Sequence, residues 1–215
     1  KLTEEHFTQD EIDLTSPGEG QVLVRTLILS QDAANRAWMQ GATYRSALSS
    51  GQVMSSGGIG EVVESNHERF SVGKIVSGDL GWQEYAVLPG HQLALVKNQD
   101  GPLSHNLSLL GVAGLTAYHG LINVSGIHAG EVLLVSAAGG SVGSIVGQIG
   151  RIKGATVIGI AGGTEKCRWV VNELGFDACL DYKDTSAPLR HQLAEASPNG
   201  VDVYFDNTGG DILQT

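Results

Sequence analysis

The residues best placed to do chemistry begin at a run of small side chains. Val132-Leu133-Leu134-Val135 is wholly apolar, and Ser136-Ala137-Ala138-Gly139-Gly140-Ser141-Val142-Gly143 is small almost throughout. Val142, Ile145, Val146, Ile149 and Ile152 then recur at three-or-four spacing. This is the pattern of a buried strand, a tight turn and an amphipathic helix. Gly140 and Gly143 hold the last two glycine places of G-x-G-x-x-G, and Ala138 stands at the first. Residues this small let the backbone close on a pyrophosphate, whose charge is met by the free amides and dipole of a helix N-terminus. Gly140, Ser141, Val142 and Gly143 are therefore the expected pyrophosphate binders of a dinucleotide site. In a chain with 30 glycines the pattern gains its weight from its place between strand and helix.

The next strand says which dinucleotide. An NAD site usually carries Asp or Glu where the second strand ends, bonded to the adenine ribose 2′-hydroxyl. Here the strand ends Gly159-Ile160-Ala161-Gly162-Gly163, without a carboxylate, and Lys166 and Arg168 follow. A 2′-phosphate wants cations and no close acid, so Gly162 and Lys166 favour NADP(H). Glu165 dissents, although in the first turn of a helix an acid also complements the dipole.

The elements that must position these residues differ between the two halves of the chain. Gln21-Val22-Leu23-Val24-Arg25-Thr26-Leu27-Ile28-Leu29 and residues 59–63, 74–77, 82–87 and 93–96 read as short strands set off by Gly and Pro. Residues 107–124 read as mostly helical. Strands at 132–135, 156–160, 178–180 and 201–205 then alternate with helices at 164–174 and 187–195, which implies a parallel sheet with right-handed crossovers. The expected fold class is α/β, with a β domain over 1–112 and a doubly wound dinucleotide-binding domain over 113–215. Four strands do not complete a six-stranded sheet, so a dinucleotide domain truncated at its C-terminal end is expected.

Bulk properties exclude other classes. A net charge of −10, with no stripe of Lys and Arg, argues against nucleic acid. No apolar run approaches the ~20 residues of a membrane span, and no signal pattern opens the chain. Cys167 and Cys179 make no disulfide framework and read as small apolar residues of a reduced, cytoplasmic protein.

Val135-Ser136-Ala137-Ala138-Gly139-Gly140-Ser141-Val142-Gly143-Ser144-Ile145-Val146-Gly147-Gln148-Ile149 closely resembles the medium-chain dehydrogenase/reductase superfamily. More narrowly, the chain is similar to the zinc-independent prostaglandin reductase and alkenal/one double-bond reductase family, curcumin reductase-like members included. Gly114-Leu115-Thr116-Ala117-Tyr118, Gly162-Gly163-Thr164-Glu165-Lys166-Cys167, Leu174-Gly175-Phe176-Asp177, Asp181-Tyr182-Lys183 and Tyr204-Phe205-Asp206-Asn207-Thr208-Gly209-Gly210 carry the likeness. Arg36-Ala37-Trp38-Met39 and Gly81-Trp82-Gln83-Glu84-Tyr85 extend it into the first half.

The resemblance implies a GroES-like domain before a Rossmann domain. It places Lys166 and Tyr182 at the adenosine 2′-phosphate, Asn207 along the cofactor cleft, and Tyr44 as the active-site hydroxyl. It also implies a homodimer and a small-molecule enone or enal substrate. Zinc-dependent relatives need thiolate or imidazole ligands where this chain reads Gln31-Asp32-Ala33-Ala34-Asn35 and Gly57-Gly58-Ile59-Gly60-Glu61, so no metal is expected. The expected reaction is NADPH-dependent reduction of a conjugated carbon–carbon double bond. Quinone reduction and cofactor binding without catalysis remain as alternatives, because Arg45-Ser46-Ala47-Leu48-Ser49 departs from the family's proline-rich run after Tyr44.

Overall fold

The computed structural model describes residues 2–97 and 99–215, which form two compact units, Lys1–Leu107 and Ser108–Thr215. The division lies ahead of the boundary expected at 112/113, because the helix that begins at Val112 packs within the second unit.

The first unit is an antiparallel sheet of β1 (Gln21–Leu29), β2 (Gly57–Ser65), β3 (Ile75–Asp79), β4 (Tyr85–Pro89) and β5 (Ala94–Leu95), in the order β4-β1-β2-β3-β5. Alternation along β1 turns Val22 and Val24 inward, opposite Val62 and Ala86, over a core completed by Phe70, Val76, Leu80 and Leu93. The strand expected from Trp82 starts later. Gly81 takes a positive φ of 70°, and the Gln83 side chain donates back to Leu80 O, which turns the chain before it can pair.

One helix of this unit had no signal in apolar spacing: α1 (Ala33–Gln40). Its start is a capping box in which Asp32 accepts from Ala34 N and Asn35 Oδ1 accepts from Asp32 N. Buried Asn35 then donates to Ser55 O at 2.7 Å, which fixes the helix against the returning loop.

The second unit is a parallel sheet of β6 (Val132–Val135), β7 (Thr156–Ala161), β8 (Ala178–Asp181) and β9 (Val203–Phe205), in the order β8-β7-β6-β9. Its strands are apolar because both faces are covered. On one face Leu133, Val135 and Val157 meet Val146 of α3 (Ser141–Ile152) and Val170 of α4 (Thr164–Asn172). Ala117 of α2 (Val112–Tyr118) joins the same cluster. On the other face Leu134, Ile158, Ile160 and Leu180 meet Leu189 and Leu193 of α5 (Leu189–Ala196) and Ile212 of α6 (Gly210–Gln214). Residues 107–124 are not one α-helix: after α2 the segment His119–Val124 widens to a π-helix, with Ser125 N donating to Gly120 O. A Cβ on Gly120 would stand 2.6 Å from the Phe205 ring, so the glycine lets this turn press on β9.

Strand order reverses between β6 and β9. In an open α/β sheet, ligands bind outside the carboxyl ends of the strands at such a point.

Candidate cofactor site

The chain leaves β6 at Ser136 and turns so tightly that Ala137 takes a φ of 47°. Gly140 N donates to Ala137 O at 2.8 Å, and Ala138 N donates to Ile160 O at 3.0 Å, which ties the turn to β7. Gly140 is the N-cap of α3, and Ser141, Val142 and Gly143 are its first helical residues, whose amides have no carbonyl earlier in the helix to bond. Ser141 is exposed and Gly143 buried. A Cβ on Gly143 would lie 2.4 Å from Ala137 O, so only glycine lets the helix begin this close to the turn.

A second group forms beyond the end of β7. Gly139, Gly162, Gly163, Glu165, Lys166 and Trp169 line a hollow of about 460 Å³. Two of these glycines clear space for neighbours. A Cβ on Gly139 would meet the Lys166 stem at 3.1 Å, and one on Gly162 would meet the Tyr182 hydroxyl at 2.7 Å. Thus Gly162, Lys166 and Tyr182 stand together. Lys166 makes no ion pair among the described residues. The missing side chains form a cradle for a group larger than water, and the lysine supplies a cation beside it, which suits a nucleotide phosphate.

Sequence reasoning gave no structural role to Asp181. Its Oδ1 accepts from Gly163 N at 2.7 Å and from Lys183 N at 3.0 Å, fastening the start of α4 to the chain on either side of Tyr182. The available signal is an Asp closing a strand just before a turn, where its carboxylate caps local amides.

The third group sits where β6 and β9 end side by side. Ser136 is fully buried; its hydroxyl donates to Asp206 Oδ1 at 2.8 Å and accepts from Asn207 N at 2.7 Å. Asn207 Nδ2 donates to Ser136 O at 2.9 Å, so the side chain expected at the cofactor is held at the switch point of the sheet. Asp206 also accepts from the Tyr204 hydroxyl, Thr208 N and Gly209 N. The Thr208 amide, with those of Gly209 and the two hydroxyls, holds this carboxyl well below the usual carboxylate range. Burial, with the adjacent carboxylate, pushes the Tyr204 phenol up.

Tyr44 belongs to the first unit and is 82% exposed. Its ring meets Trp38 edge-on at 6.1 Å, while the Arg45 guanidinium lies 4.5 Å above the same indole and pairs with Asp79. Trp38 is buried, and its Nε1 has no hydrogen-bond partner among the described residues. Leu48 N donates to Trp38 O at 2.8 Å, so the loop after Tyr44 is folded back onto α1. Cys167 is buried and Cys179 half-buried, and burial raises both thiols. Among the described residues no group of three or more His, Cys, Asp or Glu is placed to hold a metal ion, and no helix is long and apolar enough to cross a membrane.

Family models match both units: an N-terminal domain of oxidoreductase over residues 1–96, and a zinc-binding dehydrogenase model over 141–215. The NADPH-dependent curcumin reductase of Escherichia coli is 44% identical over 97% of this chain and 60% of its own length. Prostaglandin reductase 1 of Bos taurus is 40% identical over 98% of the chain and 62% of its own length. The crystal structure of CurA from Vibrio vulnificus in complex with NADPH superposes with a TM-score of 0.91 at 40% identity, covering 99% of this chain and 63% of that one. The chain therefore spans about three-fifths of the length of these relatives. With its antiparallel and doubly wound units each matched in order, the chain is similar along nearly its whole length to medium-chain dehydrogenase/reductases named as curcumin and prostaglandin reductases.

Proposed function

We propose that this chain holds NADPH and serves the reduction of the carbon–carbon double bond of α,β-unsaturated ketones or aldehydes, without a metal. The observation that carries the reading is the hollow at the end of β7. Glycine stands there in place of an acid, with Lys166 unpaired beside it among the described residues and Tyr182 across Gly162. The kinship to a curcumin reductase described as NADPH-dependent supports it.

When bound, NADPH supplies a hydride to the electrophilic β-carbon of the acceptor. The first amides of α3 take the pyrophosphate charge, and Lys166 and Tyr182 take the 2′-phosphate. Asn207 lines the cofactor, its own amide anchored on Ser136. Negative charge develops on the carbonyl oxygen as the β-carbon is reduced. A phenol can stabilise that charge or deliver the proton, and the exposed Tyr44 is our choice for it. A homodimer in the cytoplasm completes the reading by kinship.

The test is NADPH consumption by the full-length protein over a graded set of enals, enones and simple quinones, repeated with Tyr44→Phe. Enones should be the best acceptors, and the variant should lose about a hundredfold in rate. Faster turnover of simple quinones would replace this reading with quinone reduction. Tight NADPH binding without consumption would make the protein a cofactor binder. Undiminished enone turnover in the variant would remove Tyr44 from the mechanism.

A further inference from the structure

Trp169 lies on α4 three positions after Lys166, so the two side chains share one face a single helical turn apart. Both line the hollow beside Gly139, Gly162 and Gly163. Leaving the indole 44% exposed on a helix whose Cys167 and Val170 are buried costs burial that the core would otherwise gain. Its surroundings are charged: Glu165 and Lys166 line the same hollow, and Arg168 precedes it in the chain. That composition suits a ligand with a flat face and a phosphate better than an apolar protein surface. The three glycines of the hollow offer only backbone, which leaves room for a planar ring. A volume of about 460 Å³ is in the range of small-molecule sites and accommodates a nucleoside.

We propose that Trp169 is the adenine-binding wall of the cofactor site, stacking on the purine while Lys166 takes the 2′-phosphate. The proposal rests on the reading that the chain holds NADPH, and adds to it a residue that recognises the base. Stacking of a base on an aromatic ring is tolerant of sequence context and needs only a free π-face.

The test uses adenosine 2′,5′-bisphosphate, which carries the purine and the 2′-phosphate but no nicotinamide. Full-length wild type, Trp169→Ala and Trp169→Phe are titrated by calorimetry, with thermal melting to establish that each is folded. The alanine variant should bind about five- to a hundredfold more weakly, and the phenylalanine variant should retain most of the affinity. Reduced nicotinamide mononucleotide should bind all three alike. Wild-type tryptophan fluorescence should be quenched by the bisphosphate, and most of that quench should be lost in Trp169→Phe. Equal affinity in the alanine variant, a quench undiminished by the phenylalanine substitution, or no wild-type binding overturns the proposal. No hydride acceptor is present, so a failure of enone reduction is read separately from a failure here.

Discussion

The Ser136 hydroxyl donates to Asp206 Oδ1 at 2.8 Å, joining the carboxyl ends of β6 and β9 across 70 residues of chain. One bond therefore ties the glycine turn to the strand on the far side of the topological switch. Because Asn207 N donates to the same hydroxyl, the position of that side chain follows from where Ser136 is held.

Asp206→Asn should loosen this junction. The carboxyl's folded-state pKa is depressed by the Thr208 and Gly209 amides and by the hydroxyls of Ser136 and Tyr204. Its stabilising effect is complete above the unfolded value of about 4 and is lost as pH falls through the depressed one. Melting temperatures of wild type should therefore drop below about pH 4 by a component that Asp206→Asn lacks. At neutral pH the variant should bind NADPH about tenfold more weakly, the scale of one charge-assisted hydrogen bond. Identical acid profiles for the two proteins would contradict this role.

Lys166→Ala should raise the KM for NADPH by about tenfold or more while leaving that for NADH unchanged, since only the former carries the 2′-phosphate. Steady-state kinetics with both cofactors decide it. Equal losses would assign the lysine to some contact that the two cofactors share.

Gly143→Ala should be costly out of proportion to one methyl group. The new Cβ would stand 2.4 Å from Ala137 O, a backbone atom that cannot swing aside. A loss of about 1–3 kcal/mol is expected for such overpacking, together with weakened NADPH binding as the turn shifts. Chemical denaturation and a cofactor titration measure the two effects. A variant as stable and as tight as wild type would show that the turn can relax.

Arg45→Ala should free the loop that carries Tyr44. The guanidinium joins Trp38, Asp79 and, at 3.5 Å, Ser55 Oγ, replacing with one side chain the rigidity that prolines would give. The pair is partly exposed, so overall stability should fall by only about 1 kcal/mol. Limited proteolysis between residues 41 and 56 should nonetheless become much faster, and Arg45→Lys should restore part of the protection. Unchanged cleavage would show that the Leu48 to Trp38 backbone bond alone holds the loop.

What could be read from sequence was whatever is local. Val132 to Val135 is continuous apolar chain bounded by polar and small residues, and β6 has those bounds. The turn and α3 follow from side-chain size and three-or-four spacing over consecutive residues. Less was legible where the determinant is distant or polar. The Ser136 to Asp206 bond leaves no periodic trace, and Asp181 looks like any strand-end acid until Gly163 is seen donating to it. Helix α1 is specified by a cap and by Asn35, not by an apolar stripe. The π-helix at His119–Val124 holds Gly120 where a Cβ would meet Phe205, a contact that spacing within the segment cannot encode. Tyr44 could be singled out only by kinship, since exposure on a loop gives a sequence nothing to repeat.

The contact between Gly162 and the Tyr182 hydroxyl has a consequence for descent. Any side chain at 162 would displace that hydroxyl, because the space its Cβ needs is already taken. A single base change converts a glycine codon to aspartate or glutamate. That one step would plant a carboxylate where NAD enzymes keep theirs and evict the hydroxyl that we propose as a partner of the 2′-phosphate. Two determinants of cofactor choice are thus inherited as one, and a lineage could cross from one coenzyme towards the other without passing through a form that favours neither.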